Sequence, residues 1–243
     1  MVRRERRLAT AAGRERVPTE VFTPPGGSSP CVGFAEAHGY TVASREAMKA
    51  LELRESAPLW APLEAQVAEG QGSYRILVWR DVVPDDHVEQ VCTMLGRFMS
   101  LVPQSDLDLE DGHWSVERLR ATEQRRAEIG GAMFLAVAMA PDGALVAASD
   151  VRLTTHDPRV AHIGITMVMP GRRGHRLGLA AKLASHRALC AAFPECDLVV
   201  TSNADVNRHM NAINDVLGYR VLENMLEYHR RLAPGRQSLR SLT

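Results

Sequence analysis

The chain has few cysteines: Cys31, Cys92, Cys190 and Cys196, with no CxxC pair and no ligand-like spacing. That excludes a disulfide scaffold and a cysteine metal site, and points to free thiols in a reducing cytoplasm. It has no net charge, with 29 Lys and Arg against 29 Asp and Glu, which argues against a nucleic-acid partner held by bulk charge. No apolar run approaches the ~20 residues that a membrane span needs. The basic amino terminus is followed by no apolar core, so neither a membrane association nor a secretion signal is expected. HExxH, a Cys/His metal set, the P-loop and GxGxxG are all absent, so no metal is expected. What is present is a 45% apolar content over 243 residues. That supports one domain of about 150 residues plus something smaller.

Residues 1–20 are charged and short of large apolar groups, and read as a mobile tail because glutamates interrupt the arginines. TPPGGSSP, residues 23–30, reads as a loop. Phe34 to Leu53 can then be laid on Ile213 to Leu232 without a gap: Gly39-Tyr40 falls on Gly218-Tyr219, Val42 on Val221 and Leu53 on Leu232. Each stretch reads as a helix end, a Gly-Tyr stop and two strands, the pattern of an internal repeat. Glu55 to Gly72 reads as a linker, helical over Leu59 to Glu69.

From Tyr74 onward the pattern is regular. YRILVW (74–79) suits a strand, and Pro84-Asp85-Asp86 opens a helix running to about Met99. Ser115 is set to cap a second helix that stops at Gly130-Gly131. Met133–Met139 and Leu145–Leu153 flank Pro141-Asp142-Gly143, a hairpin signal. Val160 to Met169 is a further strand, Asp197 to Ser202 another, and Asp205 is placed to cap a helix over Val206–Leu217 that Gly218 ends. Two closing strands end at about Leu232, and residues 233–243 read as a disordered tail.

The stretch that organises the rest is ITMVMPGRRGHRLGLAAKLASHRAL, Ile165 to Leu189. An apolar strand breaks at Pro170 and Gly171 and opens a helix. A helix start presents free N–H groups and a favourable dipole to an anion, and here basic side chains stand beside them. Arg173-Gly174-His175-Arg176-Leu177-Gly178 resembles the acetyl-CoA-binding motif of the GNAT superfamily of N-acetyltransferases, with Arg176 in place of the middle glycine. Asn207, eleven residues before Gly218 and Tyr219, resembles a second motif of that family. At Asn214 the family's usual catalytic Tyr is missing.

The resemblance implies an α/β (α+β) fold: a mixed, mostly antiparallel twisted sheet with helices on both faces over residues 73–232. Residues 1–30 would be tail and linker, and residues 31–72 a small αββ remnant of a first domain with its linker, as in tandem members. It implies a cytoplasmic N-acetyltransferase with acetyl-CoA as cosubstrate and a primary amine of a small molecule or peptide as acceptor, acting by direct attack in a ternary complex, or else a catalytically weak or inactive acyl-CoA-binding or interaction module; a homodimer is possible. Pyrophosphate would sit on Arg173, Gly174, His175, Arg176, Leu177 and Gly178. Thr166, Met167 and Val168 would pair with pantetheine, the amides of Met167 and Val168 lying near the thioester, and Asn203 and Asn207 would bond its amides from the other side. Asn214 would stand near the sulfur, and His162 or Asp150 would serve as base. Acceptor choice would come from the acidic loop Gln104 to Trp114.

Overall fold

The computed structural model describes residues 8–9, 12–101 and 112–232. Most of the acidic loop and the carboxy-terminal tail lie outside those residues. One eight-stranded sheet, in the order β1-β8-β2-β7-β6-β5-β4-β3, runs through the protein. Its strands are β1 (Arg16–Thr23), β2 (Thr41–Glu52), β3 (Arg75–Arg80), β4 (Gly131–Met139), β5 (Leu145–Thr154), β6 (Asp157–Val168), β7 (Leu198–Ala204) and β8 (Arg220–Arg231). All neighbours are antiparallel except β6 and β7. The helices are α1 (Pro30–Ala37), α2 (Leu53–Ser56), α3 (Ala61–Gln71), α4 (Val88–Leu101), α5 (Val116–Glu128), α6 (Leu177–Ala192) and α7 (Arg208–Leu217). No described helix is long and apolar enough to cross a membrane.

Period-two alternation on β4 explains why the sheet is covered on both faces. Met133, Leu135 and Val137 meet Val91, Met94 and Leu119 of α4 and α5. Phe134 on the other face meets Leu179, Leu183 and Phe193 of α6 and its end. Local chemistry sets the element ends. The Ser115 hydroxyl accepts from the Arg118 amide at 3.2 Å, and Gly218 ends α7 in the left-handed region at φ 99°. Asn207, rather than Asp205, caps α7, its side-chain oxygen accepting from the Met210 amide at 3.2 Å.

The amino-terminal region differs from the tail and αββ remnant expected. Arg16–Thr23 is a strand that pairs with β8 along its whole length, so part of the expected tail belongs to the sheet. Its inward residue Val21 packs with Leu226 and Tyr228, and backbone pairing outweighs the weak apolar content of the segment. The repeat follows β-α-β, because each expected strand pair is one long strand, Thr41–Glu52 and Arg220–Arg231. β2 inserts between β8 and β7 in a symmetric register. Val42 faces Tyr228, and the repeat mate of Val42, Val221, faces Lys49, which is the mate of Tyr228. Two copies of one unit related by a local twofold would pair in this way.

Between β5 and β6 the register slips around Asp150. Gly164 and Ile165 bulge opposite it, and the buried Asp150 carboxylate accepts the Ile165 amide at 2.6 Å while also holding the Arg152 guanidinium. A Cβ on Gly164 would collide with both side chains of that pair. A bulge bends and twists its strand. Correspondingly, β6 pairs with β7 only at Val160, Ala161 and His162, although both strands run on. Beyond His162 the two strands part.

Candidate active site

The fork between β6 and β7 opens at the start of α6. Gly171 and Gly174 have φ values of 79° and 92°, so the turn requires them, and nothing lies within 4 Å of a Cβ on either. Arg176, at the family's glycine position, itself adopts the left-handed conformation at φ 54°. Glycine would hold that conformation without the strain that a side chain brings. No side chain caps α6. Among the described residues, the amides from Arg173 to Leu179 meet no protein acceptor, and the first bond of the helix comes from Ala180 to the Arg176 carbonyl at 2.9 Å.

The basic side chains are arranged otherwise than expected. Arg173 and His175 are exposed, and the His175 ring lies 5.2 Å from Tyr74. Arg176 turns away to the Gln66 side chain of α3 at 2.8 Å, so it braces α3 rather than joining Arg173 at the turn. Gly178 is a packing glycine: a Cβ there would stand 3.2 Å from Ile213 and 3.3 Å from Val168. Ile213 and Val168 take up the space its side chain would need. The buried Leu177 anchors the turn in the core.

Along β6, the Met169 amide bonds the Val146 carbonyl on β5. Strand alternation then aims the amides of Thr166 and Val168 at the open edge and turns that of Met167 toward β5. The Thr166 hydroxyl is held by Ser149 at 2.9 Å. His162 is exposed where the strands part.

No family model matches the sequence, and no curated protein matches it. Solved structures do. A tandem GNAT protein from the clavulanic acid biosynthesis pathway is 25% identical, with a TM-score of 0.72 over 95% of this chain and 68% of its own. A GCN5-related N-acetyltransferase from Sphaerobacter thermophilus gives 15% identity and 0.61 over 95% and 65%. One from Kribbella flavida gives 14% and 0.58 over 96% and 74%. The fold is that of the GNAT superfamily. This chain spans about two-thirds of the length of the first two of these GNAT relatives.

At the position of the usual GNAT tyrosine, Asn214 is wholly buried. Its oxygen accepts from Lys182 of α6 at 2.5 Å, and its amide nitrogen donates to the Asn203 oxygen on β7 at 2.5 Å. Both ends of its side chain are thus engaged by the protein, and it faces the fork only through Asn203. Lys182 is the donor to the Asn214 oxygen, so the chain is oriented. It fixes the oxygen of Asn214 toward Lys182 and the oxygen of Asn203 inward, leaving the Asn203 nitrogen as the free donor.

Beyond Lys182 lie Tyr219, whose ring is 4.7 Å from the lysine nitrogen, and His186, 2.7 Å from the Tyr219 hydroxyl. Burial, and then the charge of Lys49, lower the pKa of Lys182 to about 7. Burial and then Lys182 lower His186 to about 3, and burial raises Tyr219. Sequence reasoning missed this buried polar chain. Its trace was Lys182 and His186, four residues apart on a helix rich in Leu and Ala, a spacing that puts both on one inward face.

Proposed function

We propose that this protein binds acetyl-CoA across the mouth of the β6–β7 fork and transfers the acetyl group to a primary amine of a small molecule or peptide by direct attack in a ternary complex. The observation that carries the reading is the coincidence of two openings: strands that part after His162, and a helix start at their end whose amides have no acceptor among the described residues. A diphosphate suits those amides, and the exposed Arg173 adds charge. Pantetheine would run along the fork, where Thr166 and Val168 offer amides from one side and the Asn203 nitrogen from the other. An open-edge amide beside the thioester would stabilise the oxyanion that develops, and losing one such donor costs about 3–4 kcal/mol.

An amine with pKa near 10.4 is neutral at pH 7 at a cost of roughly 4.6 kcal/mol, so a base helps most at that step. Asp150 is held by the bulge, which leaves His162, exposed at the fork, as the candidate. Without the tyrosine acid, the thiolate leaves unassisted, about 1.5 pH units above neutrality for a cysteine-like thiol. Asn214, sealed from the fork, favours a second reading, an acyl-CoA-binding module that turns nothing over. Calorimetry with acetyl-CoA followed by thiol release over a panel of amines separates the two: binding and release support transfer, and binding with no release for any amine leaves the module. The twofold register of β2 and β8, with the similarity to a tandem member, supports reading residues 31–72 as part of a first-domain remnant.

A further inference from the structure

The sheet face under α4 and α5 holds a feature that acetyl transfer as described above does not use. Between those helices and β4, β5 and β6 lies a cavity of about 230 Å³. Val91, Met94, Leu95, Phe98 and Val137 make most of its wall apolar. Asp150 and Ile165, the two residues joined at the bulge, also line it, so it extends to the bulge after which β6 leaves β7.

One wall is charged, by Arg126 of α5 and Arg152 of β5. Among the described residues, the carboxylates near it are paired elsewhere: Asp150 with Arg152, Glu123 with Arg120 and Asp81 with Arg80. Arg126 donates one N–H to the main-chain oxygen of Asp81 at 2.9 Å and has no carboxylate partner among the described residues. Burial first, and then the charge of Arg152, lower its pKa. The nearby carboxylates of Asp150, Glu123 and Asp81 act the other way on its charge, but among the described residues none bonds the Arg126 guanidinium, which leaves donors beside the apolar walls for an arriving anion. Its planar fork of donors matches a carboxylate in two parallel hydrogen bonds.

We propose that this cavity is the acceptor site and selects an amine whose apolar body carries a carboxylate, with that carboxylate seated on Arg126. The role of the amine rests on the acetyl-transfer reading; recognition of the carboxylate does not.

Two experiments test it. Calorimetry without coenzyme compares 3-phenylpropionate with 3-phenylpropionamide, and thiol release with acetyl-CoA compares phenylalanine with phenylalaninamide. The acid should bind about tenfold or more tightly than the amide, as expected for charge-assisted hydrogen bonds. Arg126→Met should erase that preference and leave the affinity for the amide unchanged. Arg125→Met, at an exposed position on the same helix, should keep the preference. Phenylalanine should exceed phenylalaninamide in kcat/KM by a similar factor. Equal binding of acid and amide by the unaltered protein overturns the proposal without any variant, and so does a preference that survives Arg126→Met. Thiol release from other amines with no preference for the acid removes this inference alone. A clear preference with no release from any amine supports the carboxylate seat and overturns acetyl transfer.

Discussion

Lys182→Met should make the protein more stable near neutral pH and less stable at high pH. Lys182 is fully buried, and its pKa falls from 10.5 to about 7 on folding. The sign follows from proton counting. Between pH 7 and 10.5 the unfolded chain holds a proton at this site that the folded chain has released, so stability rises with pH across that window. Below pH 7 both states are charged and the full penalty is present, roughly 5 kcal/mol at 1.36 kcal/mol per pH unit. Methionine has similar reach and no charge, but it leaves the Asn214 oxygen without its donor, a loss of about 1–3 kcal/mol. The net expectation is a variant more stable by roughly 2–4 kcal/mol at pH 7 and less stable by about 1–3 kcal/mol near pH 10.5. Urea unfolding followed by tryptophan fluorescence at several pH values between 7 and 10.5 reads both ends, and an unchanged urea dependence keeps the comparison two-state. His186, with its pKa near 3, stays neutral in the folded protein throughout that range. Parallel curves for the two proteins across the window would refute the reasoning, because they would mean that Lys182 keeps its charge at no cost. If Lys182 also orients Asn203, the stabilised variant should bind acetyl-CoA more weakly, a trade of function for stability.

Three further expectations concern the fork. Gly178→Val should push Ile213 and Val168 apart, costing about 1–3 kcal/mol by overpacking and weakening acetyl-CoA binding at least tenfold in calorimetry; normal affinity would place the seat elsewhere. Asp150→Ala should strand the Ile165 amide and the Arg152 guanidinium. A loss of about 2–3 kcal/mol in urea unfolding is expected, discounted because Arg152 is nearly half exposed, and a loss below 1 kcal/mol would show that the bulge holds without it. His162→Ala should lower kcat about 100-fold with KM little changed if the imidazole is the base, and an unaltered pH–rate profile would exclude that role.

Most elements between residues 73 and 217 were legible because their ends are written locally, whereas the two closing strands expected after Gly218 are one strand, Arg220–Arg231. Ser115 caps α5, Pro141-Asp142-Gly143 turns the hairpin, and Gly218 stops α7, each through contacts within a few residues. β1 was not legible, because its short sequence, broken by Pro18 and Glu20, becomes a strand only beside β8, about two hundred residues away in the chain. The site divided in the same way. The turn from Pro170 to Gly178 could be found from its glycines and basic residues, while the direction in which each side chain points could not. Arg176 is bound to Gln66, Gly178 is filled by Ile213 and Val168, and Asn207 is used as a cap.

By itself, then, the sequence determined most of the strands and helices between residues 73 and 217 and the place where an anion could meet a helix start, since backbone sterics and capping act over one or two turns of chain. Only the tertiary structure decided that β6 and β7 part after His162, that β2 enters the sheet beside β8, and that Lys182, Asn214 and Asn203 form one oriented chain. Those features arise from bulge geometry, strand insertion and the shared burial of residues from separate elements. Their energies exist only once distant segments are packed together and water is excluded between them.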